Sequence, residues 1–325
     1  MIHDKANFSR IVNESFRDAV LNAVNTDQVF PVYHYTSTDG LIGILTTNEI
    51  WLGNVDDLND LTEMNYGFEK IILPAINESS IISEETKQKL RELIVLARNK
   101  NFSVSKGNDA YKCNVNIYVF STSKNGNAYT LWSNYTKNNN KAGYAISMNN
   151  TDVTQAIMSA LNARKERQQS DINSFLFCGK IIYSKKKQID LVNDYLTIFA
   201  YNLEDRPDEF EEIESNAFVE GLLILSLFMK DEEFSKEDEF RYIVLLADEI
   251  TDTNSRYKPY LKFINVNGNI MSRLVMPFDS SFIKEIVVSP YISDQDKVEQ
   301  QLSFFARKCG RPKITIQTNV SKKIR

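Results

Sequence analysis

The feature that most constrains the fold is the stretch 240–246, which is apolar at every position except Arg241. A strand with one solvated face alternates apolar and polar residues, whereas a nearly continuous apolar run is typical of a central strand covered on both faces. A chain of 325 residues has enough length to supply those covering layers. That length favours one large domain with an insertion, or two domains.

Further strand and helix patterns follow one another without a regular alternation. This order predicts an α+β fold with a mixed, mostly antiparallel sheet. We predict one domain, residues 1–325, with an amphipathic N-terminal helix over residues 8–24 and a helical insertion at about 185–235. The dipeptide Asn267-Gly268 lies between alternating runs and predicts a hairpin, whereas the polar stretch 101–114 predicts a loop. Strand patterns lie at 32–37, 49–52, 116–120, 143–148, 175–183, 283–288 and 313–318, and helix patterns at 84–100, 152–168 and 294–308.

Composition and charge exclude several classes of protein. A net charge of −5 argues against a protein that coats nucleic acids without regard to sequence. The cysteines Cys113, Cys178 and Cys309 are isolated in sequence, which indicates reduced thiols and no structural zinc site. The longest apolar run, 222–229, is much shorter than the roughly 20 residues that span a bilayer. We therefore expect a cytoplasmic protein with no membrane partner and no metal site.

His34 is the first candidate functional residue. It lies in a short aromatic strand within 32–37, and the cluster Ser37, Thr38 and Asp39 then caps a helix, whose N-terminus favours negative ligand groups. The histidine would then project over a cleft. The alternative, favoured on the residues alone, is a partly buried histidine that is hydrogen-bonded to the backbone.

The second candidate is the acidic entrance to the apolar strand. Alternation along a strand places Glu237, Glu239 and Arg241 on one face, opposite Phe240 and Tyr242. A glutamate that enters a buried strand in this way can be desolvated, fixed and catalytic. The alternative, again favoured on these residues alone, is a structural Glu–Arg pair at the edge of a sheet.

The third candidate combines the hydroxyl of Ser121, at the end of a strand, with the nearby aromatic side chains of Trp132 and Tyr135. Hydroxyls can hold a ribose, and aromatic rings can stack on a planar or cationic ring. Turn chemistry together with core aromatics explains the same residues.

Two charged segments complete the candidates. Asp56, Asp57, Asp60 and Glu63 are able to bind Mg²⁺, although acids that cap a helix explain them equally well. The C-terminal stretch 303–325 carries Lys and Arg but no acid. It is either a solvated tail or a tail that contacts the phosphates of a nucleic acid.

Several short blocks of the sequence are informative when they are taken together. They are Tyr33-His34-Tyr35-Thr36, Gly43-Ile44-Leu45, Asn59-Asp60-Leu61-Thr62-Glu63, Phe120-Ser121, Leu131-Trp132-Ser133-Asn134-Tyr135, Gly143-Tyr144, Glu237-Asp238-Glu239-Phe240-Arg241 and Val287-Val288-Ser289-Pro290. Together these blocks resemble a bacterial family, domain of unknown function 2971 (DUF2971). The resemblance covers most of the chain, with Leu61 where the family usually has proline and Ser289 where it usually has glycine.

A more distant resemblance is to the ADP-ribosyltransferase superfamily. It rests on the strand with His34, the following Leu-Ile helix and the late strand that begins with Glu239, although Arg241-Tyr242 lengthens the usual spacing. The resemblance implies NAD as substrate. It also implies Glu239, Glu237 and His34 as catalytic residues. The implied NAD-binding residues are His34, Tyr35, Thr36, Ser121, Trp132 and Tyr135.

The leading hypothesis is therefore an ADP-ribosyltransferase or NAD glycohydrolase, acting as a toxin or in phage defence on a protein or nucleic-acid acceptor. Cleavage of the nicotinamide–ribose bond builds positive charge on the sugar, which a fixed carboxylate stabilises. The second hypothesis is a Mg²⁺-dependent nuclease that uses Asp56, Asp60, Glu237 and Glu239. The third is a non-catalytic sensor that binds a nucleotide or a protein.

Overall fold

The computed structural model describes residues 28–55, 65–98, 101–106, 109–135, 143–165, 174–205, 213–249, 261–266, 268–279 and 281–318. The helix predicted over residues 8–24 lies outside these residues. The strands are β1 (Pro31–Thr36), β2 (Glu49–Asn54), β3 (Asn101–Lys106), β4 (Asp109–Ser123), β5 (Tyr144–Asn149), β6 (Ser174–Lys180), β7 (Glu239–Glu249), β8 (Leu261–Val266), β9 (Asn269–Pro277), β10 (Glu285–Val288) and β11 (Thr315–Thr318). The α-helices are α1 (Thr38–Thr47), α2 (Leu73–Glu78), α3 (Glu84–Arg98), α4 (Tyr129–Tyr135), α5 (Asn150–Lys165), α6 (Lys185–Asp205), α7 (Ile213–Ser226) and α8 (Gln295–Lys308). A π-helical segment (Gly67–Ile72) precedes α2, and a 3₁₀ helix (Glu232–Glu237) precedes β7.

The described strands form one mixed sheet. Its main path runs β11-β10-β5-β1-β4-β2-β9-β8, while β3, β6 and β7 join it through β4 and β7. Among the pairs of these strands, β10 and β11 run parallel and the others antiparallel. The predicted α+β class with a mostly antiparallel sheet is therefore confirmed.

Strand β4 is the hub of this sheet. One edge of β4 pairs with β7 from Cys113 to Ser123. Because a strand has only two edges, β3, β2 and β1 share the other edge, with β2 at Val119 and β1 at Ser123. The sheet thus forks beside Ser123, where β1 and β2 leave β4 along separate paths. We call this place the fork.

The prediction of a loop over 101–114 is wrong. These residues form β3 and the first part of β4, an antiparallel hairpin in which Asn101 pairs with Asn114 and Lys106 with Asp109. Backbone hydrogen bonds hold such a ladder whatever the polarity of the side chains, so polar composition alone does not identify a loop. The part of β4 that follows is the buried stretch 117–120.

Strand β7 is covered on both faces, as its apolar sequence predicts. Tyr242 and Val244 pack into a core that contains Leu41 of α1 and Ile157 of α5. The alternate residues Ile243 and Leu245 pack into a second core. That core includes Phe199 of α6 and Phe218 of α7, whose rings lie 4.4 Å apart. Helices α6 and α7, which lie within the predicted helical insertion, therefore contribute side chains to this second core. None of the described helices is long and apolar enough to cross a membrane.

Candidate functional site

Ser121, at the fork, connects the two residues on which the enzymatic hypothesis depends. The Nδ1 atom of His34 lies 3.1 Å from the carbonyl oxygen of Ser121. Because a carbonyl only accepts, Nδ1 carries the proton in this contact. The side chain of Ser121 hydrogen-bonds the carboxylate of Glu239. Residues from three distant parts of the chain, at positions 34, 121 and 239, therefore meet at one place.

His34 and Glu239 nevertheless lie on opposite faces of the sheet. His34 pairs with Ile146 of β5, and its ring lies 4.6 Å from the ring of Phe120, so it belongs to the face of the first core. Glu239 pairs with Ser123, and the next residue along β7, Phe240, pairs with Thr122. Phe240 packs into the first core, so the side chain of Glu239 lies on the other face of the sheet. The imidazole and the carboxylate therefore do not share one pocket, because successive side chains of a strand alternate between faces.

The environment of His34 matches the alternative given for it from the sequence. Burial lowers the pKa of this imidazole, and the hydrogen bond to the Ser121 carbonyl only partly offsets that effect. The ring is therefore neutral at pH 7 and holds the end of β4 in place. Its catalytic role stays a prediction.

Glu237, Glu239, Arg241 and Lys230 form a buried cluster of charges, which we call the ion cluster. Each of these residues is less than 10% exposed. The ammonium group of Lys230 lies 2.7 Å from Oε2 of Glu237 and 3.1 Å from Oε2 of Glu239. Arg241 donates two hydrogen bonds to Glu239, from Nε to Oε1 at 2.5 Å and from Nη2 to Oε2 at 3.0 Å. Two positive and two negative groups therefore compensate one another away from water.

The cluster keeps Glu239 ionised. Burial alone would raise the pKa of this carboxyl, since it disfavours the charged form. The positive charge of Arg241, then that of Lys230, and hydrogen bonds from Arg241 and Ser121 outweigh burial and lower the pKa to about 2. Glu239 is thus a fixed anion throughout the neutral pH range.

A short irregular segment brings the two glutamates together. Glu237 ends the 3₁₀ helix, and Asp238 then adopts a left-handed conformation with φ 43°, so that Glu239 can start β7. The Ser123 hydroxyl donates to the carbonyl of Glu237 at 2.6 Å, and the backbone N–H of Glu239 donates to the Tyr183 hydroxyl at 2.9 Å. The predicted grouping of Glu237, Glu239 and Arg241 on one side is confirmed, although Glu237 belongs to the 3₁₀ helix rather than to the strand.

The structure places the other predicted NAD-binding residues in three different environments. Tyr35 and Trp132 are buried against each other, with ring centroids 4.6 Å apart. The Tyr35 hydroxyl donates to the carbonyl of Asn125 and accepts from the N–H of Ala128, which fixes the loop before α4. The pair therefore matches the core-aromatic alternative. Thr36 and Ser121 are half-buried, and Tyr135 ends α4, with its side chain outside the described residues.

The acidic cluster of the nuclease hypothesis, Asp56, Asp57, Asp60 and Glu63, lies outside the described residues. Between Glu237 and Glu239 the Lys230 ammonium occupies the position that a bridging cation would need. Within the described part of the chain, no group of three or more His, Cys, Asp or Glu side chains is arranged to hold a metal ion. The end of the basic tail, residues 319–325, also lies outside the described residues.

Lys230 is the residue of the ion cluster that sequence reasoning missed. It directly follows the apolar run 222–229, and a charged residue next to a fully buried run is a signal for a buried ion pair. Gln188 also escaped notice. This completely buried side chain donates to the carbonyl of Lys230 at 2.8 Å and thereby fixes the backbone that presents the ammonium.

Comparison with known proteins gives a match, and it covers the region that contains the ion cluster. Residues 131–242 match the model of a family described as "Protein of unknown function (DUF2971)". The match covers about a third of the chain, and over this region the chain is similar to the DUF2971 family. No curated protein and no solved structure gives a significant match.

The DUF2971 region includes Trp132, Lys230, Glu237, Glu239 and Arg241, whereas the fork residues His34 and Ser121 precede it. The predicted resemblance to DUF2971 is thus confirmed for the part of the chain that carries the ion cluster. The more distant resemblance to ADP-ribosyltransferases is not shown by these comparisons and stays a prediction.

Proposed function

We propose that this protein cleaves the nicotinamide–ribose bond of NAD, as an ADP-ribosyltransferase or NAD glycohydrolase, with Glu239 as the catalytic carboxylate. The observation that carries the proposal is the contact of Glu239 with Ser121 at the fork. Ser121 is half-buried, so a ribose hydroxyl that reaches its side chain also approaches the carboxylate behind it.

The chemistry requires one fixed anion. Nicotinamide leaves with the electron pair of the glycosidic bond, and positive charge develops on the ribose. The carboxylate of Glu239 stabilises that charge, and it needs no rearrangement because Arg241 and Lys230 already hold both of its oxygens. Water or an acceptor nucleophile then forms the new bond to the sugar and releases a proton to solvent.

In this proposal His34 is a positioning residue. The imidazole lies on the opposite face and binds the backbone carbonyl of Ser121, whose side chain binds Glu239. Loss of His34 should therefore weaken the alignment of Ser121 without removing the carboxylate. We expect a partial loss of rate for His34→Ala and a near-complete loss for Glu239→Gln.

The test is the release of nicotinamide from NAD, measured by chromatography. Glu239→Gln should lower the rate at least 100-fold, which corresponds to about 3 kcal/mol of transition-state stabilisation. Glu49→Gln is the matched control, because Glu49 forms a more exposed ion pair with Lys262, Nζ to Oε2 at 2.6 Å. No release by the parent protein, or equal release by the parent and Glu239→Gln, would overturn the proposal.

The acceptor is part of the same proposal. We propose a protein or a nucleic acid, in the setting of a toxin or of phage defence. Incubation of a bacterial lysate with biotin-labelled NAD, followed by protease or nuclease treatment, distinguishes the two classes. Label that survives both treatments as free ADP-ribose would assign the protein as an NAD glycohydrolase.

A non-catalytic sensor is the second candidate, and the pairing and low exposure of Glu239 in the ion cluster favour it. Both carboxylate oxygens of Glu239 are paired, and the residue is only 6% exposed. A sensor would show a rise in melting temperature with NAD but no turnover. Incubation of the protein with RNA or DNA tests the nuclease hypothesis, which predicts cleavage that a metal chelator abolishes.

A further inference from the structure

The hydroxyl of Tyr183 lies beside Glu239, on the edge of β7 that faces β6. At this end of the ladder the N–H of Ile181 donates to the carbonyl of Glu239 at 3.0 Å. Two residues paired in this way in an antiparallel sheet normally exchange both backbone hydrogen bonds. Here the N–H of Glu239 donates to the Tyr183 hydroxyl at 2.9 Å, so a side-chain oxygen takes the place of a backbone acceptor.

This contact leaves the proton of the Tyr183 hydroxyl available. Because a backbone N–H only donates, the phenol oxygen is the acceptor and its own proton has to point elsewhere. Among the residues that the structure describes, no acceptor receives that proton. The side chain is half-buried, so it reaches the surface close to the carboxylate. Tyr183 therefore presents a hydrogen-bond donor next to Glu239.

The charges of the ion cluster keep this phenol protonated. Burial raises the pKa of Tyr183 most strongly, and the hydrogen bond from the N–H of Glu239 only partly offsets that effect. The negative charges of Glu239 and Glu237 add to the rise, whereas the ammonium group of Lys230 opposes it. At neutral pH Tyr183 is therefore a donor and not a base.

We propose that Tyr183 is a substrate-binding residue that donates its hydroxyl proton to a ribose hydroxyl of NAD. Strand β7 pairs with β4, which carries Ser121, along one edge and with β6, which precedes Tyr183, along the other. Two half-buried hydroxyl groups therefore flank Glu239 on opposite sides. The two adjacent hydroxyls of a ribose match this arrangement, because one can meet Ser121 and the carboxylate while the other meets the phenol. This inference rests on the proposed function and names the ribose as the recognised part of the substrate.

Removal of one hydroxyl from each partner tests this contact in the full-length protein. Tyr183→Phe should lower kcat/KM for nicotinamide release about fivefold, as expected for one neutral hydrogen bond. Two analogues of NAD lack either the 2′- or the 3′-hydroxyl of the nicotinamide ribose. On one of them the parent and Tyr183→Phe should react equally fast, because the contact is already absent. Tyr242→Phe is the matched control, because its hydroxyl donates to the carbonyl of Asn150 at 3.2 Å on the opposite face of β7. It should match the parent on all three substrates.

A second variant separates the donated proton from the structural role of the oxygen. Tyr183→O-methyltyrosine keeps the oxygen that accepts from the N–H of Glu239 but has no proton to donate, and it replaces Tyr183→Phe if that variant does not fold. It should show the same loss on NAD and the same insensitivity to one of the two analogues.

The outcomes separate this inference from the proposed function. Equal losses in Tyr183→Phe on NAD and on both analogues would show a purely structural hydroxyl and overturn the inference, as would an unchanged rate on NAD. The proposed function would stand in both cases. If the parent releases no nicotinamide, calorimetry with NAD decides. Binding that Tyr183→Phe weakens about fivefold would support the inference and refute only the proposed cleavage, whereas no binding would overturn both.

Discussion

The contact between Arg241 and Glu239 gives the sharpest test of the ion cluster. Arg241→Met keeps most of the side-chain volume but removes the group that binds both oxygens of Glu239. Glu239→Gln removes the negative charge and keeps the shape. The double variant Arg241→Met/Glu239→Gln removes both charges at once. These proteins and the parent form a double-mutant cycle that isolates the interaction between the two residues.

The magnitude follows from the pKa of Glu239. A fall from 4.5 to about 2 corresponds to about 3 kcal/mol of stabilisation of the ionised form in the folded protein. Arg241 is the largest favourable contribution to that fall, and loss of one member of a buried ion pair typically costs about 3–5 kcal/mol. We therefore expect Arg241→Met to lower the free energy of unfolding by about 3 kcal/mol or more. The double variant should cost clearly less than the sum of the single variants, because it leaves no unpaired carboxylate.

Urea denaturation followed by far-UV circular dichroism measures these free energies. The pH dependence provides a second measurement. A carboxyl with a depressed pKa contributes stability that is complete above its unfolded-state value of about 4.5 and is lost as the pH falls towards 2. The parent should therefore lose stability over this range, and Glu239→Gln should lose less. The reasoning would be refuted if the losses in unfolding free energy of the two single variants added up to that of the double variant within about 0.5 kcal/mol, because independent sites show such additivity.

Three further predictions concern stability and use the same denaturation assay. Gly126→Ala should destabilise the protein, because a Cβ there would lie 2.5 Å from the ring of Tyr33, whereas Gly43→Ala in α1 meets nothing within 4 Å and should stabilise by about 1 kcal/mol. Equal effects of the two changes would contradict this. Arg311→Lys should cost about 2 kcal/mol, because the buried guanidinium donates to the carbonyl of Leu45 at 2.8 Å and to the side chain of Asn48. Arg307→Lys, at an exposed position, should be neutral, and similar losses for both arginines would refute the argument. His34 has a lowered pKa, so its contribution is present above its unfolded value of about 6.5 and is lost as the pH falls. His34→Gln should flatten the stability profile below pH 6.5, and an unchanged slope would remove His34 as its cause.

Local patterns in the sequence identified most of the secondary structure. The apolar run 240–246 predicted a strand covered on both faces, and β7 has two cores packed against it. Clear periodicity also placed α3 and α8 within two residues of their observed bounds. The hairpin over 101–114 was missed because its ladder depends on backbone pairing between polar residues, which apolar periodicity does not report. For the same reason the sequence did not show that β4 carries neighbours along both of its edges.

The candidate site shows a different limit of sequence reasoning. Alternation within one strand correctly grouped Glu239 with Arg241, because the period of two applies inside a single strand. Whether His34 shares their face depends on the register between β1, β4 and β7, which no local pattern contains. A shift of one residue in that register would place the imidazole on the same face of the sheet as the carboxylate. The observed register instead places Ser121 between them, bound to the imidazole through its carbonyl and to the carboxylate through its hydroxyl. Any coupling of His34 to chemistry at Glu239 must therefore pass through the position of Ser121, and a partial rather than complete loss of rate in His34→Ala follows from this arrangement.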